Sequence, residues 1–461
     1  MKKEKIEAPV KKNERLVVDI IDMTYDGRGV AKVDGFPIFV EEGITGERVK
    51  IHVMKVMKKF AFAKIMTWET TSENRVEAVE KDLIRTGIAP LHHMSYNAQL
   101  DFKKNQVTQA MKRIGGFDEL NVADVLGMEH PFAYRNKAQI PVRMIGAEIE
   151  LGFFRKNSHD LIVVEDFLIQ DKMIDEILLF LKERLRKYSI KPYDESQHSG
   201  HLKSIVIRKG HYSNEVMVTF VTRKKKIFYL HDIVTELVAA YPNVVSVMQN
   251  IQPNVTNKVL DERLSVLYGK DSISDELLGK TYHISAQSFY QVNTEQAENL
   301  YKKAIELADL KEDDVVLDAY CGIGTIGLSM ANKVKKVYGV EIVPEAIEDA
   351  IHNAEINDIT NVEFKAGAAD KVLKNWTADG IKFDVIVVDP PRKGLTEDFI
   401  KQSVELEPEK IVYISCDPST MARDMKLFAS LGYTTDTVYP VDMFPQTTHI
   451  ECVGLLTRVE R

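Results

Sequence analysis

The sequence predicts a mixed α/β and β protein: a small N-terminal β-barrel, an α+β middle region, and a C-terminal half built on a parallel sheet. Three observations carry this. Residues 14–68 alternate apolar and polar with Gly and Asp punctuation, the signature of short half-buried strands. Residues 71–283 mix hairpin-like strands with isolated helical stretches. From 284 onward strand and helix patterns alternate regularly, with near-continuous apolar strands, as in a parallel sheet covered on both faces. At 461 residues the chain is too long for one core, and two or three domains are expected.

In order along the chain, RLVVDIID, GRGVAKVDGFPIFVEEG and ERVKIHVMKVMKKFAFAKIMTW supply the barrel strands. Residues 1–68 hold fourteen Lys or Arg against ten Asp or Glu, a local +4 in a chain whose formal net charge is −8. Lys55, Lys58, Lys59 and Lys64 interleave with Phe60 and Phe62. Lysines that hold phosphates beside rings that stack bases would make a single-stranded RNA platform; a solvated strand face over core phenylalanines reads equally well. The middle region predicts a helix near 96–114, strands near 136–144, 149–154 and 161–164, and a helix near 171–187. Strands return at 203–209, 215–222 and 244–250. The basic runs Arg208 with Lys209 and Arg223 through Lys226 suit either a polyanion or plain solvent. In the last part VVLDAY, KVYGVEI, VEFKAG, FDVIVVDPP and KIVYISC are strands each followed by a helix. HIECVGLLTR has no helix after it and is expected as a terminal strand at one side.

The acidic balance of 61 Lys and Arg against 69 Asp and Glu argues against wholesale attraction to nucleic acid, so any such footprint must be local. The start is basic but has no apolar signal segment, and no run approaches the roughly 20 apolar residues that cross a bilayer. The three cysteines, Cys321, Cys416 and Cys452, have no zinc-clamp or redox spacing. A cytoplasmic protein, neither secreted nor membrane-spanning, is the expectation.

The chemistry gathers at strand ends. DAYCGIGTIG follows the first strand of the last region, with Gly322, Gly324 and Gly327 spaced G-x-G-x-x-G and an acid, Glu341, at the end of the next strand. Such glycines let backbone approach a ligand, and such an acid takes a ribose hydroxyl pair. The pattern fits a dinucleotide or S-adenosylmethionine equally. FDVIVVDPPRKG ends its strand at Asp389 with two prolines that hold the carboxylate at the ligand-binding edge. That D-P-P turn is a mark of nucleobase-modifying methyltransferases, although two prolines also simply end strands. Cys416 closes the fifth strand, with Asp417 as N-cap and Pro418 as first helical residue. The helix N-terminus is expected to lower its pKa, against the Asp417 charge. A buried thiol packing like a small hydrophobe is the alternative. Glu451 sits in an apolar strand, either facing solvent or held, with a raised pKa, as a base. Cys321 and Cys452 are read as structural.

SFYQVN, DAYCGIG, DPPRKG, YISCDPSTMARD and THIEC, in this order, resemble the successive motifs of the RNA 5-methyluridine methyltransferase family, over nearly the whole chain. The N-terminal strands resemble a TRAM domain, the RNA-binding module of that family's ribosomal-RNA members. YRNKAQIPV and GFFRKNSHDLIVVEDFLIQ are similar to its central domain. The resemblance implies an OB-like barrel over 10–70, a central α+β RNA-binding domain over 71–94 and 126–283, and a Rossmann-like class I methyltransferase domain with a seven-stranded sheet over 95–125 and 284–461. It implies Cys416 as nucleophile and Glu451 as general base, and Gln291, Tyr320, Gly322, Gly324, Glu341 and Asp389 around S-adenosylmethionine. Phe289, Asp389, Arg392, Lys55, Lys58, Lys59 and Phe60 fall on the substrate side. Ala368 stands where a further polar cofactor contact would be. The implied substrate is one or two uridines of 23S ribosomal RNA, presented single-stranded or locally unfolded to a monomer. Many relatives carry cysteines that hold a 4Fe–4S cluster, where this chain has Thr86, Ala89 and Phe167; a cluster needs thiolates, so an iron-free protein is expected, with no metal site. Two rivals stay open: a nucleobase amino-methyltransferase without covalent catalysis, and a non-catalytic RNA-binding factor of ribosome assembly.

Overall fold

The computed structural model describes residues 8–156, 158–256 and 258–459; the basic residues 1–7 lie outside the described residues. The chain packs into two compact units, Met1–Gln106 with Phe444–Thr448, and Val107–Met443 with His449–Arg461. None of the helices is long and apolar enough to cross a membrane among the described residues.

In the first unit six strands form one sheet: β1 (Arg15–Asp19), β2 (Asp22–Met23), β3 (Gly29–Val33), β4 (Phe36–Glu41), β5 (Arg48–Val56) and β6 (Ala61–Thr70), in the order β1-β5-β6-β4-β3-β2. Alternation decides the faces: Val49, Ile51 and Val53 of β5 are fully buried with Val18, Ile38, Val40 and Ala61, while Arg48, Lys50 and Lys55 face out. The sheet rolls, for the Ile21 N–H just past β1 donates to Val30 O of β3 at 2.8 Å. After the sheet come α1 (Lys81–Thr86) and α2 (Tyr96–Ala110), whose final turn widens to a π-turn over Met111–Gly115.

Under this sheet Glu47, fully buried, accepts from Arg75 Nε at 2.5 Å and Nη2 at 2.8 Å. His93 is buried nearby and neither ring nitrogen has a hydrogen-bond partner. Burial, and then the Arg75 charge, push its imidazole from 6.5 down to about 4. Between those values the unfolded chain binds a proton that the folded unit refuses. The stability that this neutral histidine contributes is therefore complete above pH 6.5 and lost as pH falls toward 4, on the order of 3 kcal/mol. Urea midpoints followed by Trp68 fluorescence, in a Trp376→Phe background, are expected to fall across this window in the parent and much less in His93→Leu. Equal pH slopes in both would disprove it.

Among the described residues the second unit holds two large sheets and a two-stranded hairpin. The first comprises β8 (Lys137–Ile145), β9 (Glu148–Phe154), β10 (Leu161–Val163), β11 (Leu202–Lys209), β12 (Val216–Thr222), β13 (Val244–Ile251) and β14 (Leu264–Gly269), in the order β10-β9-β8-β11-β12-β13-β14; a two-residue β7 (Asn121–Val122) precedes them in the chain. All pairs are antiparallel except β12 with β13. Helix α3 (Lys172–Lys187), capped by Asp171, buries Ile174, Ile177, Leu178, Leu181 and Leu185, spaced three or four apart along one face. α4 (Leu230–Ala240), not among the helices expected from the sequence, buries Leu230, Ile233, Val234 and Leu237 at helical spacing. The basic pair Arg208 and Lys209 proves to be neither a solvated face nor a surface patch: both are buried, Lys209 paired to Asp171 at 2.8 Å, because β11 is an interior strand. Lys224, Lys225 and Lys226 are exposed.

After the hairpin of β15 (Ser272–Leu277) with β16 (Lys280–Ser285) and helix α5 (Thr294–Ala308) comes the βα alternation. It runs β17 (Val315–Ala319), α6 (Thr325–Met330), β18 (Lys336–Glu341), α7 (Pro344–Ile356), β19 (Val362–Ala366), α8 (Ala369–Ala378), β20 (Val385–Val388), α9 (Glu397–Glu405), β21 (Lys410–Ser415) and α10 (Pro418–Ser430). Then follow β22 (Tyr433–Thr434), β23 (Thr437–Val441) and β24 (Glu451–Arg458). The sheet order is β19-β18-β17-β20-β21-β24-β23-β7, with β22 on β24. Two expectations are corrected. The sheet has nine strands rather than seven, because the two-residue β7 and β22 join it, too short to leave a periodic signal. The strand of HIECVGLLTR is interior, not terminal: β21 pairs with one edge and β23 with the other, and the run of buried residues from Glu451 to Gly454 shows that both its faces are covered as well.

Candidate active site

Strand register collects the sequence's candidates at one edge. Ala319 of β17 lies between Val340 of β18 and Val388 of β20. The next residue on each strand, Glu341, Tyr320 and Asp389, therefore makes a row along the carboxyl ends. β21 continues the row and reaches further, to Ser415.

β24 then decides the chemistry. It runs antiparallel to β21, with Ser415 opposite Cys452. Cys416 is the residue that follows this last pair on one strand and Glu451 the one that precedes it on the other, so both stand at the same end of the ladder, and the Glu451 charge acts on the Cys416 thiol. Glu451 is 5% exposed, so the solvent-facing alternative falls away, and Cys416 is half-buried rather than packed into the core.

Electrostatics correct one expectation. Burial, then the charges of Glu451 and Asp389, push the Cys416 thiol up to about 12, while Arg392 pulls the other way. The helix N-terminus, expected to lower it, does not dominate because its donors are spent: Pro418 has no N–H, and the Asp417 carboxylate accepts from Ser419 N–H at 2.8 Å and Thr420 N–H at 3.3 Å. Glu451 and Asp389 are both raised by burial, Glu451 also by Asp389 and against Arg392. Two neighbouring carboxyls that resist ionising together are poised to hold and move a proton. Cys321 and Cys452, in contrast, are buried in the core, and burial pushes both thiols well above their ordinary value.

The glycine loop is shaped to admit a ligand. Gly322 has φ +54° and nothing within 4 Å of where a Cβ would stand, so open space lies over its backbone. Gly324 has φ +83° and a Cβ there would meet Phe364 at 3.1 Å, which excludes larger residues. Tyr320, at φ +66°, enters the turn in a conformation rare for its type, its ring 5.7 Å from Phe399. Glu341 accepts from Gly322 N–H at 3.3 Å and Val343 N–H at 3.1 Å. Ile342 and Val343, apolar yet exposed, follow it. An acid that can receive ribose hydroxyls, apolar groups for a purine face and open backbone at Gly322 together fit a nucleoside cofactor. Ala368 offers no polar side chain and starts α8 uncapped.

Gln291 is buried, and its carbonyl accepts from Asn136 Nδ2 at 3.0 Å, which fixes its segment. Phe289, two residues earlier, is 69% exposed, an apolar ring presented to solvent. Arg392 is exposed on the turn after Asp389. In the first unit Lys55, Lys58 and Lys59 are exposed along the β5–β6 hairpin, and Phe60 packs with Phe39 and Phe62 at 5.4 Å each. Thr86 hydrogen-bonds Leu83 O at 2.8 Å, Ala89 is fully buried, and Phe167 is buried with its ring 5.3 Å from Phe153.

Sequence reasoning missed two supports. Asp318, fully buried, accepts from Gly327 N–H at 2.7 Å and braces the glycine turn; burial raises it to about 8. Asp424 accepts from Tyr413 Oη at 2.7 Å and Leu395 N–H at 2.8 Å, tying α10, and so the chain after Cys416, to the D-P-P-R-K-G turn. The signal for each was an acid at an otherwise apolar position, Asp318 within VVLDAY and Asp424 one helical turn after Met421.

Residues 95–459 match the family model described as tRNA (Uracil-5-)-methyltransferase, and residues 9–66 match the TRAM domain. A Streptococcus mutans protein described as an uncharacterized RNA methyltransferase is 49% identical, over 97% of this chain and 100% of its own. A Streptococcus pyogenes protein of like description is 50% identical over 97% of each. Among solved structures, the Pyrococcus abyssi tRNA (uracil-54, C5)-methyltransferase in complex with S-adenosyl-L-homocysteine is 29% identical. Its TM-score is 0.75, with 96% of this chain and 100% of that one covered. With a TRAM domain at its N-terminus and the glycine loop, D-P-P turn and Cys416–Glu451 pair on its parallel sheet, the chain belongs to the RNA (uracil-5-)-methyltransferase family.

Proposed function

We propose that the protein methylates carbon 5 of one or two specific uridines in 23S ribosomal RNA through a covalent bond between Cys416 and carbon 6 of the uracil. The observation that carries it is the antiparallel ladder ending at Ser415 and Cys452, which brings Cys416 to the same end as the buried Glu451, with the charges of Glu451 and Asp389 both acting on the thiol. Gln291, Tyr320, Gly322, Gly324, Glu341 and Asp389 hold S-adenosylmethionine, which when bound supplies an electrophilic methyl group.

As the Cys416 thiol gives its proton to the neighbouring Asp389 carboxylate, its sulfur adds to carbon 6 and turns the ring into an enolate whose carbon 5 is electron-rich; one hard step becomes two easier ones. After carbon 5 has been methylated, Glu451 takes its proton, and the electron pair of that C–H bond expels the Cys416 sulfur. A raised pKa suits Glu451 to this, because a carboxylate held away from water is a stronger base. Asp389 and Arg392 flank the uracil, and Phe289 covers it once it has left its stack. Lys55, Lys58, Lys59 and Phe60 hold the RNA strand.

In this reading the protein acts in the cytoplasm as a monomer, without an iron–sulfur cluster, since Thr86, Ala89 and Phe167 offer no thiolate. It is divided as 10–70, 71–94 with 126–283, and 95–125 with 284–461. The pairing of Asn121 and Val122 with β23 supports giving 95–125 to the catalytic part.

The TRAM domain favours the ribosomal target, while the activity of the Pyrococcus relative favours uridine 54 of tRNA as the second reading. Labelled methyl incorporation into 23S RNA and into tRNA, both from a strain lacking the gene, separates them. Label is expected in 23S RNA at 5-methyluridine; label confined to tRNA would reverse the assignment.

A further inference from the structure

A cavity of about 340 Å³ opens on the β8–β11 face of the second unit, lined by Lys137, Gln139 and Val206, by Lys258 with the apolar Val259 and Leu260, and by Ala286 and Gln287. That size is within the range of ligand pockets. Its floor is two paired strands: Val206 lies opposite Gln139, and Arg208 opposite Lys137. Two cations directly across a ladder repel, an arrangement that costs stability unless something offsets it. Arg208 is partly answered, since its Nη2 donates to Ser288 O at 2.8 Å and Asp349 lies near. Lys137 is not. Among the described residues no carboxylate is within ion-pair distance of its ammonium or of Lys258, and the charges nearest Lys137 are Arg208 and Arg135. Burial and those two charges push Lys137 down to about 7, so its charged form is disfavoured there. An anion in the cavity would remove that cost.

The cavity's position says which anion. Its wall, Ala286 and Gln287, leads directly into Phe289 and Gln291, and the Arg208 bond to Ser288 ties floor and segment together. We propose that this cavity is an anion subsite that takes a backbone phosphate of the RNA next to the nucleotide extruded at Phe289, held by Lys137 with Gln139 and Lys258 at its rim. The proposal rests on the functional reading above. Lys137 acts by binding and touches no reacting atom.

Full-length protein and a target RNA fragment test it by fluorescence anisotropy over a series of salt concentrations, with covalent adduct formation on 5-fluorouridine RNA measured in parallel. Lys137→Met is expected to weaken RNA binding about tenfold and to reduce the slope of log affinity against log salt by about 0.7, the release of one phosphate contact on a single strand. Lys137→Arg should keep most of both. Gln139→Glu, at an exposed position that leaves folding alone, should weaken binding more than Gln139→Ala. At saturating RNA the Lys137→Met protein should still form the adduct, which separates this proposal from the covalent one: absence of adduct in the parent refutes only the latter. An unchanged salt slope in Lys137→Met with an unchanged thermal midpoint would overturn the subsite. So would inorganic phosphate that binds in the parent, is lost in Lys137→Met, and is not displaced by RNA.

Discussion

Replacing Cys416 by alanine is expected to abolish methyl transfer, by roughly a thousand-fold or more, while S-adenosylmethionine binding persists. Loss of a covalent nucleophile removes the route that makes carbon 5 reactive, whereas the residues proposed to hold the cofactor sit at the ends of β17, β18 and β20 and in the Gln291 segment. The parent protein should also form a denaturation-resistant adduct with 5-fluorouridine RNA and cofactor. Fluorine at carbon 5 leaves no proton for Glu451 to remove, so the sulfur cannot leave. Cys416→Ala should form none. If the alanine variant keeps activity within about tenfold, the chemistry is that of an amino-methyltransferase that needs no thiol. If the parent methylates nothing and forms no adduct, a binding role in ribosome assembly takes its place.

Glu451→Gln should separate the two halves of the reaction. Addition and methylation continue, but the carbon 5 proton stays, so the adduct should accumulate on ordinary uridine RNA while turnover falls roughly 10²- to 10⁴-fold. Glutamine is a fair isostere because burial already drives Glu451 toward its neutral form, and the variant should melt no lower than the parent. In the parent, Asp389 lies close enough that one carboxyl's ionisation suppresses the other's. Normal turnover in Glu451→Gln would refute its role as base. Loss of turnover with no adduct would instead move Glu451 to the addition step.

Much of this site is legible in the amino-acid sequence. G-x-G-x-x-G after an apolar strand, Glu341 at the end of the next, D-P-P at the fourth and Cys416 at the fifth are local patterns, and a parallel sheet delivers all its strand ends to one edge. The βα period alone therefore places them together. The alternation in β5 likewise fixes which residues of the rolled sheet face inward.

Other features are not local and leave no mark in one dimension. The seven-stranded sheet around β11 buries Arg208 and Lys209, which along the chain look like a surface patch, since strand order rather than composition makes β11 interior. The thiol's pKa escapes a local reading for the same reason: the helix start is written next to Cys416, but the carboxylates that outweigh it come from Asp389 and Glu451, 27 and 35 residues away.

By itself the sequence determined the βα alternation of the C-terminal part, the glycine loop, the thiol and the residues that stand where cluster cysteines would be. Only the tertiary structure decided that β24 enters the sheet antiparallel between β21 and β23, in a register that faces Glu451 toward Cys416. Pairing register is a property of two strands at once, and a slip of one residue would turn Glu451 to the opposite face of the sheet.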